Sequence, residues 1–319
     1  MALMGRPMIL ILGPTACGKT RIAALAAASL GGEIISADSR QVYRGMDIGT
    51  GKDLADYVVD GVEIKAHLVD VADAGEKYSI FDYKRDFDKA LADINSRGKV
   101  PVVCGGSGMY LETALGLYNL KEAKPDAHLR ASLEKLTNQQ LVDKLLSLRS
   151  VHNTTDILDR ERLIRAIEIA TAENSYADQN ESTGNLLQSS GSKRDSYDNQ
   201  PVTNYIYGIN TPREIVRARI TSRLERRLNE GMIDEVQTLI RNGVPYETLH
   251  YYGLEYKYVS MYLQGELSYT EMIRLLNTAI HQFAKRQMTW FRRMEKRGIN
   301  ITWIDAGKAV EMIVTQFDQ

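Results

Sequence analysis

Short, unbroken apolar runs alternate with longer mixed segments along the first third of the chain. Met8–Leu12 is apolar at every position, Glu33–Ala37 carries a second short run and Lys99–Cys104 a third. Runs this short, without polar alternation, predict strands covered on both faces, as in a parallel sheet. Between them Arg21–Leu30 is Ala-rich, and Ser79 to Asp82 has capping-box spacing at the head of a helix reaching about Arg97. Pro101 is tolerable near the start of its strand, where no ladder N–H is needed. Strands alternating with helices imply right-handed crossovers.

The pattern changes after about Leu120. Asp126–Ser150 and Asp159–Ala172 read as helical, with no strand between them. Ala172–Asn204 is rich in Ser, Asn, Asp, Gln and Gly and has too little apolar surface to offset ordering entropy, so a mobile loop or hairpin is expected. Ile206–Ile209 reads as a strand. Helices follow over Pro212–Asn229, Met232–Arg241 (ending at Asn242-Gly243) and Ser268–Arg297, and then a strand at Ile301–Ile304. The expected fold class is α/β. A phosphate-loop domain with a parallel sheet flanked by helices takes residues 1–121 and 203–319, and a mostly helical insertion takes 122–202, with a flexible polar segment over 172–204.

Composition narrows the function classes. Forty Lys and Arg stand against forty-one Asp and Glu in 319 residues, which excludes a uniformly basic nucleic-acid binder but not a local basic face. Residues 201–300 hold fifteen Lys and Arg against ten Asp and Glu, and such a surplus suits a surface that follows a phosphate backbone. Two cysteines, Cys17 and Cys104, cannot build a disulfide scaffold or a four-cysteine zinc site. The five histidines have no metal-ligand spacing. Met8–Leu12 is far too short to span a bilayer, and no signal-peptide pattern accompanies it, so a cytoplasmic protein without a membrane partner is expected.

The sharpest local signal is Gly13-Pro14-Thr15-Ala16-Cys17-Gly18-Lys19-Thr20, a complete G-x-x-x-x-G-K-T phosphate loop between a predicted strand and a predicted helix. Glycines let backbone N–H groups wrap phosphate oxygens, and the helix N-terminus adds a favourable field. Lys19 supplies a point charge, and the Thr20 hydroxyl is a candidate ligand for Mg²⁺. The loop does not dictate which atom is attacked. Asp38 and Ser107 also lie just past strand ends, on the edge where open parallel sheets bind ligands. Asp38 could hold a metal, take a proton from a nucleophile or cap a turn; Ser107 could orient a nucleophile or merely shape a Gly-rich turn. Near the chain's end, Lys285, Arg286, Arg292, Arg293, Lys296 and Arg297 face one acid, Glu295, with Trp290 and Phe291 interleaved. Spacings of seven and four put Lys285, Arg292 and Lys296 on one side of a helix.

Taken together, these residues resemble the tRNA dimethylallyltransferase family. The resemblance rests on the phosphate loop, Ile35–Ser39 with Gln41-Val42-Tyr43, Met46–Thr50, His67–Asp70, Tyr78-Ser79 and Gly105–Tyr110. It continues through Arg162–Arg165 with Ala166 and Glu168, Glu230–Val236, and Ala284–Gln287 with Thr289-Trp290. It implies transfer of a dimethylallyl group from its diphosphate to N6 of adenine 37, beside the tRNA anticodon, with Mg²⁺ as cofactor and the enzyme a monomer. It implies that Gly13–Thr20 and Arg223 hold the diphosphate, that Asp38 accepts the N6 proton, that Ser107 contacts the same amine, and that Arg130 lies near the reacting centre. The anticodon stem-loop would meet Asp38, Ser39, Arg40 and Gln41, then Glu161, Arg162, Leu163, Ile164 and Arg165, and finally Lys285, Arg286 and Arg292. Two rival readings use the same loop: prenylation of a free adenine nucleotide, and a small-molecule kinase. One segment departs from the family: Tyr252-Gly253-Leu254-Glu255 puts an acid where members have a basic residue.

Overall fold

A computed structural model describes residues 7–118, 126–148, 160–182 and 204–317. The chain divides into two compact units, Met1–Tyr118 with Asp198–Gln319, and Asn119–Tyr197.

The larger unit is built on a six-stranded parallel sheet. Its strands are β1 (Ile9–Leu12), β2 (Glu33–Ala37), β5 (Ala66–His67), β6 (Pro101–Gly105), β7 (Tyr205–Asn210) and β8 (Thr302–Asp305), in spatial order β5-β2-β6-β1-β7-β8. The apolar runs fill both faces. Leu10, Leu12, Ile35 and Val103 join one buried cluster with Tyr83, Phe87, Leu224 and Phe291. Their neighbours Ile9, Ile11, Ile34 and Val102 join a second with Ala23, Ala27 and Ile313. Side chains one residue apart point to opposite faces, so a run buried on both sides must be apolar throughout. The helices that cover it are α1 (Lys19–Leu30), α2 (Ile80–Ser96), α3 (Gly108–Ala114), α7 (Arg213–Asn229), α8 (Met232–Arg241), α9 (Tyr246–Tyr252), α10 (Leu254–Leu263), α11 (Tyr269–Lys296) and α12 (Ala309–Phe317). The Ser79 and Ser268 capping boxes fix the starts of α2 and α11.

The smaller unit holds α4 (Ala127–Leu133), α5 (Asn138–Leu148) and α6 (Arg160–Ser182), packed around Leu133, Leu141, Leu145, Leu163 and Ile167. Two expectations change here. The helical stretch from Asp126 is two helices, broken between Leu133 and Asn138. The polar segment expected to be a loop from Ala172 begins as helix, because α6 continues to Ser182; residues 183–203 lie outside the described residues. The paired elements α9 and α10, the two-stranded hairpin β3 (Val58–Val59) with β4 (Val62–Glu63), and α12 were not legible as separate elements. No helix among the described residues is long and apolar enough to cross a membrane.

Candidate active site

Strand register sets the site. Leu12 of β1 and Ala37 of β2 both pair with Gly105 of β6, so the three strands end level. Whatever follows those ends meets at one edge: the phosphate loop after β1, Asp38 after β2, and Gly106-Ser107 after β6. Sequence order scatters these segments, and the parallel register assembles them.

Gly18 adopts φ +90 at the N-cap of α1, a conformation that L side chains rarely take. Ala16, at φ 64, shares that region without glycine's freedom. Two contacts from distant parts of the chain brace the loop. The Thr15 amide donates to Gln287 Oε1 at 2.8 Å, while Gln287 Nε2 donates to the Gly106 carbonyl at 3.0 Å. Arg223 Nη2 donates to the Thr15 hydroxyl. A Cβ at Gly106 would lie 2.3 Å from Gln287 Nε2, which explains the glycine. Among the described residues the Lys19 ammonium has the Pro14 carbonyl, at 3.3 Å, as its one hydrogen-bond partner.

Ser107 occupies the N-cap position of α3 but does not cap it. Its hydroxyl instead accepts from the Ser39 amide at 3.1 Å and donates to Ser39 Oγ at 3.2 Å. Asp38 Oδ1 accepts from the Arg40 amide at 3.1 Å, fixing the carboxylate in a turn with its second oxygen free of partners among the described residues. A cavity of about 540 Å³ connects Asp38 with the phosphate loop, lined by Lys19, Thr20, Asp38, Arg219, Arg223 and Arg226 among others. Burial, reinforced by Arg227 nearby, pushes the Arg223 guanidinium down to about 10, so it stays cationic at neutral pH. Asp53 and Asp56 also line the cavity, and Arg226 reaches Asp53 at 3.7 Å, so the cations that suit an anion are Lys19 and Arg223 beside the phosphate loop.

The flanking motifs are struts. Glu235 accepts from the Asp47, Ile48 and Gly49 amides at 2.8, 2.7 and 3.0 Å, and from the Tyr256 hydroxyl at 2.7 Å. The buried Lys52 ammonium donates to the Tyr43 carbonyl at 2.9 Å, to Asp47 at 2.6 Å and to Asp70. These bonds hold the loop that follows Asp38.

The residues expected near the reacting centre or the tRNA divide into buried and exposed ones. Gln41 is buried and lines the cavity; it accepts from Ser36 Oγ at 3.2 Å and donates to the Gly51 carbonyl at 3.2 Å. Leu163 and Ile164 are buried in the smaller unit's core and hold α6 in place. Glu161 and Arg162 are exposed beside them. Arg130 belongs to the smaller unit, bound bidentately to buried Glu168 at 2.7 and 3.1 Å; Arg165 reaches the same acid at 3.1 Å. Two of the six basic residues at this end of α11 are committed to an internal acid. Arg293 and Arg297 pair with fully buried Glu112 at 3.4 and 3.1 Å, leaving Lys285, Arg286, Arg292 and Lys296 exposed. Glu255 is not a charge reversed on an outer surface; it is buried and pairs with Arg40 at 3.4 Å, whose guanidinium lies 5.1 Å above the Phe283 ring. A basic residue there would set a second cation against Arg40.

Sequence reasoning missed the roles of Gln287, Glu235, Arg219 and Arg226. The first two fall inside motifs singled out above, so the signal existed without its meaning. Glu33, His67 and Asp93 bring ligand atoms within 4.8 Å of one another. Arg97 and Lys99 already neutralise Glu33, however, which disfavours a cation there.

A sequence model of the IPP transferase family matches residues 41–294. A tRNA dimethylallyltransferase 1 of Parabacteroides distasonis is 50% identical over 299 residues, covering 94% of this chain and 92% of its own length. A tRNA dimethylallyltransferase 2 of Syntrophotalea carbinolica is 47% identical over 312 residues, covering 97% and 98%. The crystal structure of the full-length tRNA isopentenylpyrophosphate transferase of Bacillus halodurans superposes with a TM-score of 0.67 at 30% identity, covering 98% of this chain and 96% of that one. The chain belongs to the IPP transferase family.

Proposed function

We propose that the chain transfers the dimethylallyl group of dimethylallyl diphosphate to N6 of adenine 37, next to the anticodon of tRNA. The observation that carries this reading is the shared cavity: a phosphate loop and a cluster of arginines at one side, and a carboxylate with a free oxygen opening onto the same space. In the proposed step the N6 lone pair forms a bond to C1 of the allyl group. The C1–O bond breaks, and its electron pair leaves with diphosphate. The proton lost from N6 passes to the Asp38 carboxylate. Ser107, held by Ser39, orients the amine. Charge growing on the diphosphate meets Lys19, Arg223 and the loop amides, which are already in place.

Thr20 offers a hard hydroxyl oxygen to the cavity beside the phosphate loop, a donor that suits Mg²⁺. Bound there, the ion would neutralise charge on the departing diphosphate. The adenine must leave its stack to enter such a cavity, so the acceptor is an unpaired loop nucleotide. We assign the exposed Glu161 and Arg162 of the insertion, and Lys285, Arg286 and Arg292 of α11, to the tRNA side, with Arg130 ordering the insertion through Glu168. The test is to incubate the pure protein with labelled dimethylallyl diphosphate and either unmodified tRNA or AMP. Label should enter tRNA. Labelling of AMP at an equal or greater rate would move the acceptor to a free nucleotide, and release of ADP from ATP would favour a kinase.

A further inference from the structure

The phosphate loop and arginines account for one end of the cavity, and Asp38 for the acceptor side. The rest of its lining includes two further carboxylates, Asp53 and Asp56, and an uncharged stretch of wall. Cys104 of β6 and Tyr57, which ends a short 3₁₀ turn over Leu54–Tyr57, both line the cavity. Both are buried and share one apolar cluster with Cys17, Val59 and Ile64. Burial pushes the Cys104 thiol up to about 12 and raises the Tyr57 phenol well above its ordinary value. Each is therefore neutral at working pH and presents an uncharged surface among charged groups. Among the described residues the Tyr57 hydroxyl has no hydrogen-bond partner, so no polar contact there explains the choice of residue. The backbone that carries the ring is held by two bonds. The Ile64 amide donates to the Tyr57 carbonyl at 2.8 Å, and Arg21 of α1 donates to the next carbonyl, Val58, at 2.6 Å.

We propose that Tyr57 is the wall that sets donor chain length: its ring, beside Cys104, closes the space in which the allyl group lies and admits five carbons but not ten. This inference rests on the dimethylallyl reading above. With diphosphate on the loop and the attacked carbon in reach of the amine at Asp38, the rest of the chain must run along an uncharged surface near both. Tyr57 and Cys104 supply that surface, and the phenol is bulkier than the isoprene unit it would exclude. The backbone bonds that pin the turn make the wall rigid, and a pocket of fixed depth is what discriminates by length.

The experiment uses the full chain, unmodified tRNA, and dimethylallyl or geranyl diphosphate as donor, with inorganic pyrophosphate as a competing ligand. Wild type should transfer the five-carbon group and discriminate strongly against the ten-carbon one. Tyr57→Ala should move the ratio of kcat/KM toward geranyl diphosphate by at least ~10-fold, the scale of a few apolar groups in a pocket. Tyr57→Phe should keep the wild-type ratio, and all should bind pyrophosphate with similar affinity. Tyr57→Leu replaces the alanine variant should that one fail to fold. An unchanged ratio in the alanine or leucine variant overturns the inference and leaves the proposed function standing. Loss of pyrophosphate affinity in step with activity also overturns it, because Tyr57 would then serve the diphosphate end. Wild type that transfers neither group overturns the proposed function, and the inference with it.

Discussion

Gln287, near the middle of α11, accepts a hydrogen bond from the amide of Thr15 at 2.8 Å, tying the phosphate loop to a helix 272 residues away. Its other amide atom holds the Gly106 carbonyl. One side chain therefore sets the distance between the loop after β1 and the loop that carries Ser107. Gln287→Ala should leave both backbone groups unpaired and cost about 1–3 kcal/mol of stability. Pyrophosphate affinity should fall as the loop loses its brace, as titration calorimetry would detect. Unchanged affinity and melting temperature would show that the loop holds its shape alone.

Asp38→Asn keeps the shape of the side chain and its bond from the Arg40 amide, yet cannot take the N6 proton. Turnover should fall by ~10²–10⁴, the usual contribution of a positioned base, while pyrophosphate binding stays near normal. Single-turnover kinetics with labelled donor separates the two. A near-normal rate would reduce Asp38 to a turn residue.

Glu33 lies at the opposite end of β2 from Asp38. Arg97 first, and His67 and Lys99 after it, hold its carboxyl well below the usual range against the opposing effect of burial. A depressed folded-state pKa means the carboxylate contributes stability that is complete above the unfolded value and is lost as pH falls through the folded one. Glu33→Gln should therefore destabilise the protein by roughly 3 kcal/mol at neutral pH, toward the low end for breaking a buried ion cluster. The difference in melting temperature from wild type should begin to shrink as pH drops below about 4.5. A difference that stays constant between pH 7 and 3 would contradict this assignment.

The parts of the site legible in the sequence are those encoded locally. The phosphate loop is contiguous, and the ends of β1, β2 and β6 are marked by apolar runs stopping at Gly13, Asp38 and Gly105. Parallel register then follows from the alternation of strands and helices. What escaped is set by partners far along the chain. Glu235 is an ordinary helical acid until Asp47, Ile48 and Gly49 turn three amides toward it. Glu255 reads as a lost surface cation until Arg40 appears beside it. Gly253, at φ 148, separates α9 from α10, a break that composition alone does not mark. Tyr57 sits in a polar stretch whose single turn is too short for periodicity to show.

The same long-range pairing divides the basic residues of α11 into two kinds, and they should behave differently when changed. Lys285 and Arg292 are exposed and line a second cavity of about 650 Å³ between α7 and α11. Arg293 and Arg297 are committed to Glu112, an acid with no exposure, and the Arg293 guanidinium also stacks 3.9 Å from the centre of the Trp290 ring. Reversing charge at Lys285 and Arg292 together should weaken tRNA binding without altering melting temperature or pyrophosphate affinity. Each lost phosphate contact should flatten the log–log salt dependence by about 0.7 on unpaired RNA. Arg293→Ala should instead lower stability, by roughly 1–3 kcal/mol, because it removes packing on Trp290 and strips one partner from a buried carboxylate. Filter binding across a salt series, beside thermal melts of both proteins, reads the two effects separately. Should the Arg293 variant flatten the salt slope while keeping its stability, the division would fail, and the whole basic face would have to be counted as RNA surface.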